Sequence, residues 1–449
     1  MSQLNAGFSR VNITPMMGIP VTGYYKPRFA EGVLDELEIN TLALSCGETK
    51  AVLMSADLCG IKRTLAQDLA ASISKATGLP AEAIYIHTTH THTGPALPGG
   101  HDVANEDLVN EYYQFLRRKM ADAAVMALAD LKPAKMGYGI GQAPNIAFIR
   151  RFRMKDGSIK TNPGVNNPDI VAPIGDVDER VNVFRFDRES DSLVLVNFGD
   201  HPDVVGGSMI SADWPGFLRK TVEKTLDNTK CIFFNGAQGD INHVNVHPTG
   251  GYLNDMFMDF DDVSRGYGHS RYMGRVVAGG VLQAFDKVKY VDVDSLQCKQ
   301  RTIRIPSNRG TAEELVEAHK INDLHNAGKD DEIPFEGMML TTVVAEAARM
   351  VRLENGPDFF DMELSAIAVG PVALVGVPGE PFNGIGLGLK AAEGWELVCP
   401  TCLTNGSEAY FPMRECYEEG GYEARSSSMK AGCAEYIIEE GNALLSSLR

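Results

Sequence analysis

The sequence predicts an α/β protein, one large domain over residues 1–449 with mixed β-sheets covered by helices, and a layered α/β/β/α arrangement is one form this allows. Three observations predict it. Short apolar or alternating runs of strand length recur along the chain, and amphipathic stripes of helical period lie between them. The 449 residues, 44% hydrophobic and 22% charged, suffice for one large core or two fused ones.

In chain order, strand-like runs occupy Leu37 to Cys46, Ala51 to Met54 and Ile84 to Ile86, then Val181 to Phe186, Leu193 to Phe198 and Cys231 to Phe234. Ile61 to Thr77 places Leu65, Leu69, Ile73 and Ala76 on one helical stripe and stops at Gly78-Leu79-Pro80. Asp213-Trp214-Pro215 opens a second helix, since Asp caps free amides and Pro fits a first turn; Leu218, Val222 and Leu226 follow at four-residue spacing. The most apolar stretch, Leu364 to Gly379, is broken by Pro371 and Pro378 and reads as buried strands. No run reaches the ~18 apolar residues of a membrane-spanning helix. Ser428 to Leu445 reads as a final helix, and Lys289 to Asn326 as an insertion or a subdomain seam near 289–330. Asn145 to Asp178 and His243 to Tyr267, rich in Asn, Asp and Gly, read as long ordered loops walling a pocket.

Charge and cysteines narrow the function. A formal charge of −17 repels polyanions, so nucleic acid is not expected as a partner. The first twenty residues lack a basic start followed by an apolar segment, which with eight scattered cysteines points to the cytoplasm. Cys399-Pro-Thr-Cys402 has the spacing of a redox or zinc pair, but no second pair accompanies it and buried thiols are the preferred reading.

Chemistry concentrates at strand ends. In Ile84-Tyr85-Ile86-His87-Thr88-Thr89-His90-Thr91-His92, a two-residue period would put His90 and His92 on one side and His87 on the other. Taken alone, the segment fits a metal site and a set of hydrogen-bonded core histidines equally. A second apolar run delivers Asp200-His201-Pro202, a third ends in Asn235 to His243, and Val372 to Val377 runs into Pro378-Gly379-Glu380.

Eight motifs then stand in order: Ile13-Thr14-Pro15, Ser55 to Asp57, His90-Thr91-His92, the His201 segment, Ser211-Ala212-Asp213, Asn235 to Asn242, Pro378-Gly379-Glu380 and Tyr410. Together they resemble the catalytic domain of the neutral/alkaline non-lysosomal ceramidases, as a short form that ends soon after Tyr410 without the immunoglobulin-like domain of the secreted members. The resemblance implies one Zn²⁺ held by His90, His201, Glu380 and Tyr410, with His92 handling protons beside it. It also implies hydrolysis of a linear amide by zinc-activated water. Asp57, Asp200 and Asp213 are then candidates to orient the imidazoles.

One position departs from the family. Asn242 stands where the ceramidases carry a serine, and an amide cannot be acylated as a hydroxyl can. Metal-activated water therefore gains weight, with Asn242 donating a hydrogen bond to the carbonyl oxygen. Arg150, Arg151 and Arg414 lie in or beside the predicted pocket loops and suit an anionic group, so the expected substrate is either ceramide or a more polar N-acyl compound. A metal-dependent esterase or phosphoesterase and a non-catalytic zinc-containing binding protein are the competing readings.

Overall fold

The computed structural model describes residues 3–99, 105–249 and 266–449. It has the α/β/β/α layering. The first five-stranded sheet runs Ile84–Thr88, Thr49–Ala56, Glu38–Cys46, Leu4–Asn12 and Lys132–Pro133. The second runs Thr229–Asn235, Ser192–Phe198, Arg180–Asp187, Lys135–Gln142 and Lys289–Val291. The two share a core in which Leu42, Leu44, Leu53 and Tyr85 of the first meet Phe184, Leu193, Leu195, Ile232 and Phe234 of the second. Helices Arg63–Thr77 and Glu106–Ala129 cover the outside of the first sheet, and Asp213–Thr225 with Gly266–Phe285 the outside of the second.

Each predicted strand is present with ends extended by one or two residues, except Leu37 to Cys46, which starts one residue later. The first predicted helix begins at Arg63 and ends at Gly78, whose φ of 77° is the left-handed stop. Three long strands were not legible, Leu296–Pro306 with its Gln, Lys and Arg residues among them. Leu4–Asn12 mixes Asn, Gly and Arg into its alternation, and Lys135–Gln142 carries Gly137, Gly139 and Gly141. Those glycines have a packing cause: a Cβ on Gly141 would stand 1.9 Å from the Gly280 carbonyl oxygen, so the covering helix sits directly on bare backbone.

A third sheet, Leu296–Pro306, Phe359–Val369, Val372–Gly376 and Leu397–Thr401, includes the apolar stretch read as strands. Its residues alternate, Ile367, Val369 and Leu374 toward the main core and Leu364, Ala366, Ala368 and Val375 toward helices Asn383–Lys390 and Cys433–Ser446. The chain leaves this sheet at Pro306 and re-enters at Phe359, paired across the strands. Between them helices Ala312–Asn326 and Gly337–Glu354 enclose a small core of their own around Ile321, Val344 and Ala347.

The segment expected as a loop from Asn145 to Asp178 carries short paired strands within it. Arg151–Met154, Ile159–Thr161 and Ile170–Pro173 form a small antiparallel sheet, and Phe148–Ile149 pairs with Ile241–Asn242. Of the second expected loop, residues 250–265 lie outside the described residues.

Each large sheet contains one parallel pair joined through a helix. Thr49–Ala56 pairs with Ile84–Thr88, Ser192–Phe198 with Thr229–Asn235, and Val372–Gly376 with Leu397–Thr401. Arg219 ties the first unit to the second: its guanidinium grips both carboxylate oxygens of Asp57 at 2.9 and 2.6 Å, and Thr89 Oγ1 donates to the same carboxylate at 3.3 Å. Arg219→Met should lower the unfolding free energy by about 3–5 kcal/mol, because Asp57 is then buried without its partner. An unchanged urea midpoint would contradict that role.

Candidate metal centre

Strand Ile84–Thr88 ends two residues before His90, which turns into the left-handed region with φ 76°. Its N–H donates to Leu58 O at 2.9 Å, and that of Thr89 to Ala56 O at 2.9 Å, so the turn is held by the neighbouring strand's exit. His90 and His92 do meet, Nε2 to Nε2 at 3.2 Å, but the left-handed turn brings them together and strand alternation does not. His87 points away into the core. It accepts the Asn235 N–H at Nε2, 3.0 Å, and donates from Nδ1 to Ser55 Oγ, 3.1 Å, which donates to Phe233 O at 2.5 Å. Burial pushes its pKa down to about 3, so it is a neutral structural histidine.

His201 follows strand Ser192–Phe198. Its Nδ1–H donates to the carbonyls of Gln238 and Ile241, both at 2.9 Å, and His90 Nδ1–H donates to Cys59 O at 2.6 Å. Carbonyls only accept, so both Nδ1 atoms carry a proton and both Nε2 atoms point inward. Those atoms lie 3.3 and 3.2 Å from a single oxygen, Oε2 of Glu380. Glu380 and Tyr410 come from the third parallel unit and are register partners in the short parallel pair Glu380–Pro381 and Tyr410–Phe411. The Tyr410 ring lies nearly parallel to that of His201, with centroids 6.4 Å apart.

Electrostatics complete the arrangement. Burial opposes charge throughout, yet the His90–Glu380 pairing wins: His90 is raised well above the usual imidazole range and Glu380 held well below the usual carboxylate range. His201 is lowered by burial and by Arg150, and His92 is lowered well below 6.5 by burial and by His90. Tyr410 is raised well above 10 by burial and Glu380, with Arg150 opposing. A cation between the two Nε2 atoms and Oε2 would replace the proton that this pair holds. Two oriented imidazoles, a carboxylate and an adjacent phenol are a donor set suited to Zn²⁺, so the residues fit that ion. Among the described residues, the metal-capable clusters are His90, His201 and Glu380, and Cys59, His90 and His92; they share His90, so they form one centre.

The expectation on the three aspartates is corrected. None of the three aspartates orients an imidazole; backbone carbonyls do. Asp57 grips Arg219. Asp200 accepts its neighbour's N–H at 2.9 Å. Asp213, with φ 51°, accepts the N–H groups of Val204 and Val205 at 3.0 Å each and that of Trp214 at 2.6 Å, so it shapes the turn after His201. The Arg151 guanidinium donates to Cys416 Sγ, Glu419 and Gly420 O. Arg414 is exposed, its guanidinium 2.9 Å from where a Cβ on Gly432 would stand. Asn242 is buried, donates to Asn162 Oδ1 at 3.0 Å and accepts the Val244 N–H at 3.0 Å. Cys399 and Cys402 are buried and unpaired, with the Cys399 thiol pushed up to about 12 by burial.

Arg150 does reach the centre. It sits 5.3 Å over the Tyr410 ring, its Nη1 is 3.5 Å from His201 Nε2, and it is tethered by Glu423 at 2.6 Å and Gly239 O at 2.7 Å. Sequence reasoning missed Glu423, Gln238, whose amide lies 3.4 Å from Glu380 Oε2, and the tyrosines beside the histidines. Tyr24 packs edge-on against His92 at 5.4 Å, and the Tyr25 and Tyr422 hydroxyls are 3.1 Å apart. The available signal was Gly23 before the two tyrosines: at φ 110°, its Cβ would stand 2.7 Å from that of His92.

No protein-family model matches the chain, and no curated protein matches it in sequence. Among solved structures it is similar to the neutral ceramidase from Pseudomonas aeruginosa, at 16% identity and a TM-score of 0.71, over 100% of this chain and 75% of that one. It is similar also to a ceramidase complexed with C2, at the same identity and TM-score, over 100% of this chain and 76% of that one. The chain therefore has the neutral ceramidase fold.

Two outcomes follow from this geometry. His87 binds a proton in the unfolded chain near pH 6.5 and in the folded chain only near 3, so its contribution is present above pH 6.5 and is lost as pH falls. Between pH 6.5 and 4.5 the wild type should lose about 1.4 kcal/mol per pH unit more than His87→Gln; parallel curves would contradict the assignment. Saturating Zn²⁺ at about 1,000 times its Kd should stabilise the folded protein by about 4 kcal/mol, an effect absent in His201→Ala.

Proposed function

We propose that this protein is a zinc-dependent hydrolase of a linear amide, cleaving the N-acyl bond of a ceramide or of a more polar N-acyl compound. What carries the reading is the meeting of two imidazole Nε2 atoms on one carboxylate oxygen, with both tautomers fixed by backbone carbonyls. The shared fold with neutral ceramidases supports it.

His90, His201, Glu380 and Tyr410 would hold the zinc. When bound, such an ion would supply Lewis-acid chemistry, activating water towards deprotonation near pH ~7 and polarising the scissile carbonyl. His92 moves the protons: neutral through burial, with Nε2 on the same side as that of His90, it takes a proton at Nε2 and returns it to the departing nitrogen. Arg150, held over Tyr410 by Glu423, places a fixed positive charge beside the reacting carbonyl. Asn242 uses one amide hydrogen on Asn162, and its second is available to the carbonyl oxygen. No serine stands at this position, so a covalent acyl route has no nucleophile there. Tyr24 beside His92, and Tyr422 beside Tyr410 and Tyr25, offer aromatic surface suited to the apolar part of an N-acyl substrate.

No helix among the described residues is long and apolar enough to cross a membrane. All eight cysteines are unpaired, which suits a reducing, cytoplasmic setting.

A panel of N-acyl amides including ceramide, with matched esters and phosphoesters, tests the reading. Turnover of an amide should vanish with chelator and return with Zn²⁺; turnover indifferent to metal removal, or confined to phosphoesters, would contradict it. His92→Ala should keep its zinc and lose about 10²–10⁴-fold in kcat. Full turnover in that variant would remove His92 from the proton path.

A further inference from the structure

Asn235 closes the strand Thr229–Asn235 and is fully buried. Its side-chain Nδ2 donates to Thr89 O at 3.2 Å and to Asp200 O at 3.0 Å. These are the carbonyls of the residues immediately before His90 and His201. Its Oδ1 accepts the Asp200 N–H at 3.2 Å, its own N–H donates to His87 Nε2 at 3.0 Å, and its carbonyl accepts the Cys402 N–H at 3.0 Å. Every polar atom of the residue is engaged, on the exits of strands from all three large sheets.

We infer that Asn235 is a positioning residue of the metal centre, whose side-chain amide fixes the separation of the two ligand histidines. The chemistry is specific to an amide. Two carbonyl oxygens from different sheets face one point and repel one another unless a donor with two divergent N–H bonds stands between them. A buried carbonyl left without a donor is unfavourable, so removing the amide drives Thr89 and Asp200 apart. His90 is sensitive to such movement because its left-handed backbone, φ 76°, is held from outside. Backbone packing leaves Asn235 no room to shift: a Cβ on Gly236 would stand 3.1 Å from Gly199 Cα, and one on Gly199 2.6 Å from Ala237 O. On the other side of the centre, His92 N–H donates to Pro202 O at 3.1 Å, so the segments retain one link without Asn235. The loss is expected in geometry, with the fold retained.

This inference rests on the metal-centre reading, and the experiment separates the two. Asn235→Ala and Asn235→Asp, which keeps the Oδ1 acceptor and loses the donor, are compared with wild type by chelator competition for Zn²⁺, by the visible spectrum of the Co²⁺-loaded protein and by thermal unfolding after chelation. The expected result is a cooperative metal-free unfolding transition near that of wild type, Zn²⁺ affinity reduced about 10–100-fold, and an altered Co²⁺ spectrum. Wild-type affinity and spectrum in both variants would overturn the inference and leave the metal reading standing. A wild type that binds no Zn²⁺ overturns both. Failure of both variants to fold without metal also counts against it, because it would make Asn235 a general core residue.

Discussion

Three parallel strand pairs, one in each large sheet, end at one place, and the candidate ligands follow those ends. His90 follows Ile84–Thr88, His201 follows Ser192–Phe198, Glu380 follows Val372–Gly376 and Tyr410 follows Leu397–Thr401. Carboxyl ends of parallel strands are where α/β proteins place their sites, because the connections there leave the sheet and are free to diverge. Here three such ends are made to agree. The buried Asp57–Arg219 pair and the Asn235 amide join units that would otherwise be independent.

The same packing sets the chemistry. Because Nδ1 of each candidate ligand histidine is committed to a backbone carbonyl, the inward nitrogen is Nε2 in both, and Glu380 meets both. Burial removes water that would weaken these interactions, and it divides the histidines into roles. Glu380 favours the charged form of His90, burial favours the neutral form of His92, and His87, on its strand in the core, is neutral and hydrogen-bonded at both ring nitrogens. Arg150 is the one guanidinium predicted for the pocket that lies against the centre, and Glu423 prevents it from swinging away.

Much of this was legible in the sequence where an element is defined by its own period. The strands around Leu42, Leu53, Leu195 and Ile232 are apolar runs bounded by turns, and the helix through Leu69 and Ile73 declares its stop at Gly78. The strand Lys135–Gln142 was not legible because its glycines answer to a helix more than a hundred residues away. The candidate ligand histidines were legible as strand-tip residues, but the reason His90 faces His92 was not, since a left-handed φ depends on hydrogen bonds that His90 donates to the carbonyls of Leu58 and Cys59. Arg150 and Arg151 are adjacent and identical in kind; only the tertiary partners Glu423 and Glu419 separate a residue at the centre from a structural one.

Anomalous X-ray scattering at the zinc edge, on crystals of the protein equilibrated with Zn²⁺, measures the central claim directly. The predicted result is a single strong peak about 2.0–2.2 Å from Nε2 of His90, Nε2 of His201 and an oxygen of Glu380. No peak among these three, or a peak seated instead on Cys59 and His92, would contradict it.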